Sequence, residues 1–79
     1  MWIIEKDPGT NQQFSPINLD LIVRIRKSWQ HESYGITFER DSETEITWLF
    51  DIELNRDKYF DAILTKLPRL NLGIDQISL

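Results

Sequence analysis

The chain has 79 residues, of which 41% are hydrophobic and 28% charged, and its thirteen acidic and nine basic residues give a net charge of −4. This length and composition are typical of a single globular domain, residues 1–79, and not of a disordered chain. The chain has no cysteine and one histidine. This excludes a disulfide-stapled fold, a thiolate metal site, a cysteine nucleophile and a multi-histidine metal site within one chain.

The negative charge is concentrated in the middle of the chain. Residues 39–57 hold seven acids and two bases, a net charge of −5, whereas the four acids and four bases of residues 1–38 cancel. Nucleic acids and anionic membranes attract cationic surfaces, so the sequence disfavours both as partners. The longest apolar runs are too short for a signal peptide or a membrane span. We therefore expect a cytoplasmic protein.

The N-terminal part predicts a short strand followed by a turn and an edge segment. Trp2–Lys6 is an apolar strand that ends at a cluster of turn-forming residues, 7–11. Proline cannot donate a backbone hydrogen bond, so Pro16 places its segment at a sheet edge or a corner.

Three further segments alternate apolar and polar residues, which predicts an antiparallel meander. Their apolar positions are β-branched or aromatic. The segments span residues 22–29, 34–39 and 44–51.

The register of this meander follows from keeping the aromatic residues on one face. A four-residue loop, 30–33, pairs Trp29 with Tyr34, and we expect the two rings to stack across the hairpin and Trp29 to belong to the core. The second hairpin pairs Ile36 with Trp48 in the same way.

From residue 55 onward the apolar period becomes that of a helix. The apolar positions are Phe60, Ile63, Leu64 and Leu67. Asn55 is suited to cap the helix, and Pro68 ends it, so the pattern predicts a helix over 55–67. The fold class is therefore α+β, a four- to five-stranded antiparallel meander sheet packed against one helix.

The segment 68–79 is unusually apolar and needs a surface on which to be buried. Its large aliphatic residues are Leu70, Leu72, Ile74, Ile77 and Leu79. The sequence leaves open whether this tail packs on its own chain or on another chain.

The succession of 17–25, 35–38 and 46–50 and a closing helix is similar to that of many small bacterial and phage-borne domains. It also resembles, in miniature, the strands-then-helix order of PH-like modules. The resemblance concerns architecture and assigns no functional residue.

His31 is a candidate general base because Glu32 and Ser33 follow it directly. A solvated histidine at a hairpin tip explains the same residues better, because adjacent turn residues rarely point the same way. An enzyme whose site assembles around His31 across a dimer remains a less favoured alternative, and the sequence shows no cofactor or metal motif.

An acidic turn is a candidate docking surface for a basic protein partner. Its acids are Glu39, Asp41, Glu43 and Glu45. The turn lacks the glycine and the terminal glutamate of a calcium loop, so a solvated turn is the alternative. Glu39 and Glu45 face each other across the hairpin, a repulsive pair that Arg24 can relieve.

The basic residues Arg24, Arg26 and Lys27 form a cluster that could bind a single-stranded nucleic acid. The aromatic residues fall on the opposite sheet face from the two arginines, so pairing with Glu39 and Glu45 explains the arginines better.

The sequence as a whole predicts a non-enzymatic protein–protein interaction module, of adaptor or inhibitor type, that forms a homodimer and binds no cofactor. The candidate contacts are Trp2, the acidic turn and the apolar tail residues Leu70, Leu72, Ile74 and Ile77. A regulatory nucleic-acid-binding domain is the alternative.

Overall fold

The computed structural model describes residues 1–40 and 44–67, which form a three-stranded sheet, a two-stranded ribbon and one helix. In chain order the elements are β1 (Trp2–Ile3), β2 (Ile17–Asn18), a 3-10 turn (Leu19–Leu21), β3 (Arg24–Gln30), β4 (Ser33–Glu39), β5 (Glu45–Phe50) and α1 (Glu53–Leu64). The α+β class is confirmed.

The central sheet is an antiparallel meander in the order β3-β4-β5. Its register confirms the sequence prediction: Trp29 pairs with Tyr34, Ile36 with Trp48, and Glu39 with Glu45. A slip of one residue would turn every aromatic side chain to the polar face, so the aromatic pattern admits one pairing.

The turn between β3 and β4 is shorter than predicted. Gln30 and Ser33 are paired, so the loop consists of His31 and Glu32 alone, at φ of 53° and 59°. Positive φ at both central residues matches the right-handed twist of a two-residue hairpin. Trp29 and Tyr34 meet edge to face at 5.0 Å as expected, but Trp29 is 60% exposed, so its predicted place in the core is wrong.

The predicted single sheet of four to five strands is also wrong, because β1 and β2 pair with each other and form a separate ribbon. The 3-10 turn lies between β2 and β3 and redirects the chain before β3 begins. The segment around Phe14 contacts β5 through a side chain and not through strand pairing. The Phe14 ring stacks on Trp48, with ring centroids 4.9 Å apart. The Trp48 Nε1 donates to the carbonyl of Ser15 at 2.9 Å.

The helix α1 begins at Glu53, two residues before the predicted start, and ends at Leu64, three residues before the predicted end. Its N-cap is Ile52, which makes no side-chain capping bond, so the predicted capping role of Asn55 is wrong. Leu67 lies beyond the helix but is still buried, as the apolar pattern required. Among the residues described, no helix has the length and apolar character needed to cross a bilayer.

The core lies between the aromatic sheet face on one side and α1 and the ribbon on the other. Its side chains include Ile3, Phe14, Ile17, Ile25, Phe38, Trp48, Phe50, Phe60 and Ile63. Arg56 on α1 is buried with them, and its Nη1 donates to the carbonyls of Ser28 and Gly35 at 3.2 and 3.1 Å. The guanidinium also lies over the ring of Tyr34, 5.6 Å from its centroid.

The opposite sheet face carries a row of hydroxyl groups. The Thr37 Oγ1 lies 2.9 Å from both Ser28 Oγ and Thr47 Oγ1. A Cβ on Gly35 would collide with the Ser28 hydroxyl. The absence of a side chain at Gly35 therefore leaves room for the Ser28 hydroxyl. On the polar face, hydrogen bonds between side chains thus link all three strands.

Candidate functional site

An apolar surface on the ribbon is the first candidate site. Residues alternate sides along a strand: Ile3 is buried, whereas Trp2 is 63% exposed. Leu21, at the end of the 3-10 turn, is 50% exposed. Together with exposed Pro16 and half-buried Ile46 they surround one groove. We call Trp2, Pro16, Leu21 and Ile46 the ribbon patch.

The groove in the ribbon patch is a shallow, largely apolar depression of about 90 Å³. The buried side chains of Ile17 and Ile22 line it, and Asn18 and Arg40 add polar atoms. A depression of this size suits one apolar side chain of a partner rather than a cofactor, whose pockets run from roughly 300 Å³ upward.

The acids of the predicted acidic turn that the structure describes are engaged with arginines. Glu39 Oε2 accepts from Arg24 Nε at 2.8 Å and from Arg26 Nε at 3.1 Å, and Arg26 Nη2 lies 3.5 Å from Glu45 Oε2. Burial raises the pKa of Glu39, but the hydrogen bonds and charges of the two arginines outweigh it and lower the pKa overall. These two described acids therefore belong to a network in which two arginines balance two carboxylates.

Lys27, the third base of the cluster, points to the opposite face and is also engaged. Its Nζ lies 3.1 Å from Asp57 Oδ1 and 5.3 Å from the ring centroid of Phe60. Burial raises the pKa of Asp57, and hydrogen bonds from Arg56 and Lys27 with their charges lower it by more. The structure therefore divides the basic cluster between two faces.

The side chains considered for catalysis lie at the exposed tip of the β3–β4 hairpin. His31 and Glu32 are exposed, and the Ser33 hydroxyl donates to the carbonyl of His31 at 3.4 Å. Within the described part of the chain, no three His, Cys, Asp or Glu side chains are grouped so that they could hold a metal ion.

The remaining candidate contacts lie outside the described residues. These are Asp41 and Glu43 of the acidic turn and Leu70, Leu72, Ile74 and Ile77 of the tail. Their predicted roles remain predictions.

The sequence analysis named Trp2 but missed Leu21 and Pro16. One signal was available: Trp2-Ile3-Ile4 is apolar at three successive positions, and a two-stranded ribbon buries one face only. The approach of Leu21 to Trp2 could not be read in this way, because it depends on the 3-10 turn that follows β2.

Comparison of the chain with known protein families, curated proteins and solved structures finds no match. The function is therefore argued from the surface described above.

Proposed function

We propose that this protein is a protein-interaction module and that the ribbon patch is its contact surface. The observation that carries the proposal is the exposure of Trp2 and Leu21 beside one groove. Tryptophan is enriched among the side chains that dominate binding energies, and contiguous exposed apolar surface marks interaction sites.

The chemistry of the groove favours a protein partner. Its floor is apolar and Arg40 stands at its rim, so an apolar anchor side chain flanked by a hydrogen-bond acceptor fits it. The partner is either a second copy of the chain or a different protein. In both cases we expect the Trp2 indole of this chain to contribute most of the binding energy on its side of the interface.

The ion pairs of the sheet favour this surface over the other two candidates. Glu39 and Glu45, the two acids of the turn that the structure describes, are already paired with Arg24 and Arg26, which makes these two carboxylates less available to a basic partner. The same contacts, with the Lys27–Asp57 pair, disfavour nucleic-acid binding, because phosphates would have to displace three carboxylates from these bases.

Site-specific photo-crosslinking tests the proposal. A photoreactive phenylalanine analogue replaces Leu21 in one variant and Leu54 in the matched control. Leu54 is 62% exposed on the first turn of α1 and does not line the groove. Both variants are expressed in the cells that naturally produce the protein, and the adducts are identified by mass.

We expect an adduct at position 21 that position 54 does not form and that Trp2→Ala abolishes in the position 21 variant. An adduct of twice the chain mass identifies a second copy, and any other mass a different protein. No adduct at position 21, equal adducts at both positions, or an adduct that persists with Trp2→Ala would contradict the proposal.

A further inference from the structure

A second apolar groove lies between β1 and the C-terminal half of α1. Its floor includes the buried side chains of Ile3 and Ile63, its sides Tyr59 and Ala62, and its volume is about 270 Å³. Lys66 lines the same groove. Lys66 immediately precedes Leu67, which is the last residue described and is buried in the core. The chain therefore leaves the core at this groove.

We propose that residues 68–79 of the same chain occupy this groove. Five of these twelve residues are large aliphatics, whose burial against an apolar surface is favourable. Twelve extended residues span about 40 Å, more than the longest extent of the domain, 31 Å. The segment can therefore reach any part of the groove without leaving its own chain.

Charge complementarity selects this segment as the occupant. The groove carries Glu5 and Lys66 beside its apolar floor, and the segment carries one base and one acid, Arg69 and Asp75. Arg69 suits Glu5, and Asp75 suits Lys66. The groove in the ribbon patch is lined by Arg40 and by no acid, so it lacks a partner for Arg69.

Nuclear Overhauser effects in the full chain test this assignment, because they report methyl groups that lie within about 5 Å of each other, close to van der Waals contact. With methyl groups labelled, we expect contacts from Leu70, Leu72 or Ile74 to Ile3 and Ala62. A mixture of labelled and unlabelled chains, recorded with an isotope filter, separates contacts within one chain from contacts between chains.

Ala62→Glu supplies the matched perturbation and Ala62→Ser the control. Ala62 is exposed on α1, and glutamate is a good helix former, so both variants keep the fold. We expect Ala62→Glu to abolish the tail contacts and to speed tryptic cleavage after Arg69 about tenfold, as for a loss of 1.4 kcal/mol of local stability, while Ala62→Ser changes neither.

The proposal is overturned if the tail methyl groups contact Trp2 and Leu21 instead, if the contacts appear only between chains, or if there are none. It is also overturned if Ala62→Glu leaves contacts and cleavage unchanged.

Discussion

The turn between β3 and β4 gives a prediction in which glycine has opposite effects at two adjacent positions. Glu32 has a φ of 59°, whereas Ser33, the first residue of β4, is not among the residues of positive φ. A side chain in the left-handed conformation costs about 1–2 kcal/mol. Glycine removes this cost and adds about 0.5–1 kcal/mol of backbone entropy lost on folding.

Glu32→Gly therefore raises the free energy of unfolding by about 1 kcal/mol. In a domain of this size that corresponds to an increase of about 4–8 °C in Tm. Ser33→Gly has no such cost to remove, so we expect it to lower Tm. Thermal unfolding followed by circular dichroism, with urea unfolding as a second measurement, gives both values.

The reasoning is refuted if Glu32→Gly lowers Tm as Ser33→Gly does. It is also refuted if both variants leave Tm unchanged, because the cost of the left-handed conformation would then be absent. His31→Asn, at a φ of 53°, is a further check: asparagine tolerates this conformation better than histidine, so its Tm should rise by a smaller amount.

Three further predictions concern charged side chains. Because the pKa of Glu39 is lowered from its ordinary value of 4.5, its stabilisation is complete above that pH and is lost as pH falls through the lowered value; Glu39→Gln should therefore flatten the acid limb of a stability–pH curve more than Glu45→Gln does. Arg56→Met should lower the free energy of unfolding in urea by about 2–4 kcal/mol, because the buried carbonyl of Gly35 and the part-buried carbonyl of Ser28 lose this donor, and equal midpoints for variant and parent would contradict this. Buried Asp7 accepts three hydrogen bonds, so Asp7→Ala should cost about 2–3 kcal/mol and Asp7→Asn, which keeps one acceptor oxygen, less; an unchanged free energy of unfolding in Asp7→Ala would show that these bonds contribute nothing.

Local periodicity was sufficient to predict the meander. Aromatic or isoleucine side chains recur at every second position in β4 and β5, and one register keeps them on a single face, so pairs such as Ile36–Trp48 could be predicted. The two-residue turn could not, because hairpin rules look for glycine or asparagine at positive φ. His31 and Glu32 carry neither signal.

The ribbon and the burial of Arg56 depend on contacts that no local pattern contains. Trp2 pairs with Asn18 across an intervening loop, and both strands are too short for their alternation to be read. Arg56 stands four positions before Phe60 on the same helix face, although a charged side chain is ordinarily exposed. It is buried because backbone carbonyls of β3 and β4 accept its donors, which only the assembled fold provides.

The three tryptophans occupy different surroundings and provide a built-in optical reporter. Trp48 is fully buried against Phe14 and hydrogen-bonded to Ser15, so its emission reports whether ribbon and sheet remain joined. Trp2 and Trp29 are exposed and are accessible to an aqueous quencher such as iodide. A partner seated on the ribbon patch would shield Trp2 and leave Trp29 quenchable, so fluorescence of the unmodified protein can locate binding and unfolding in a single titration.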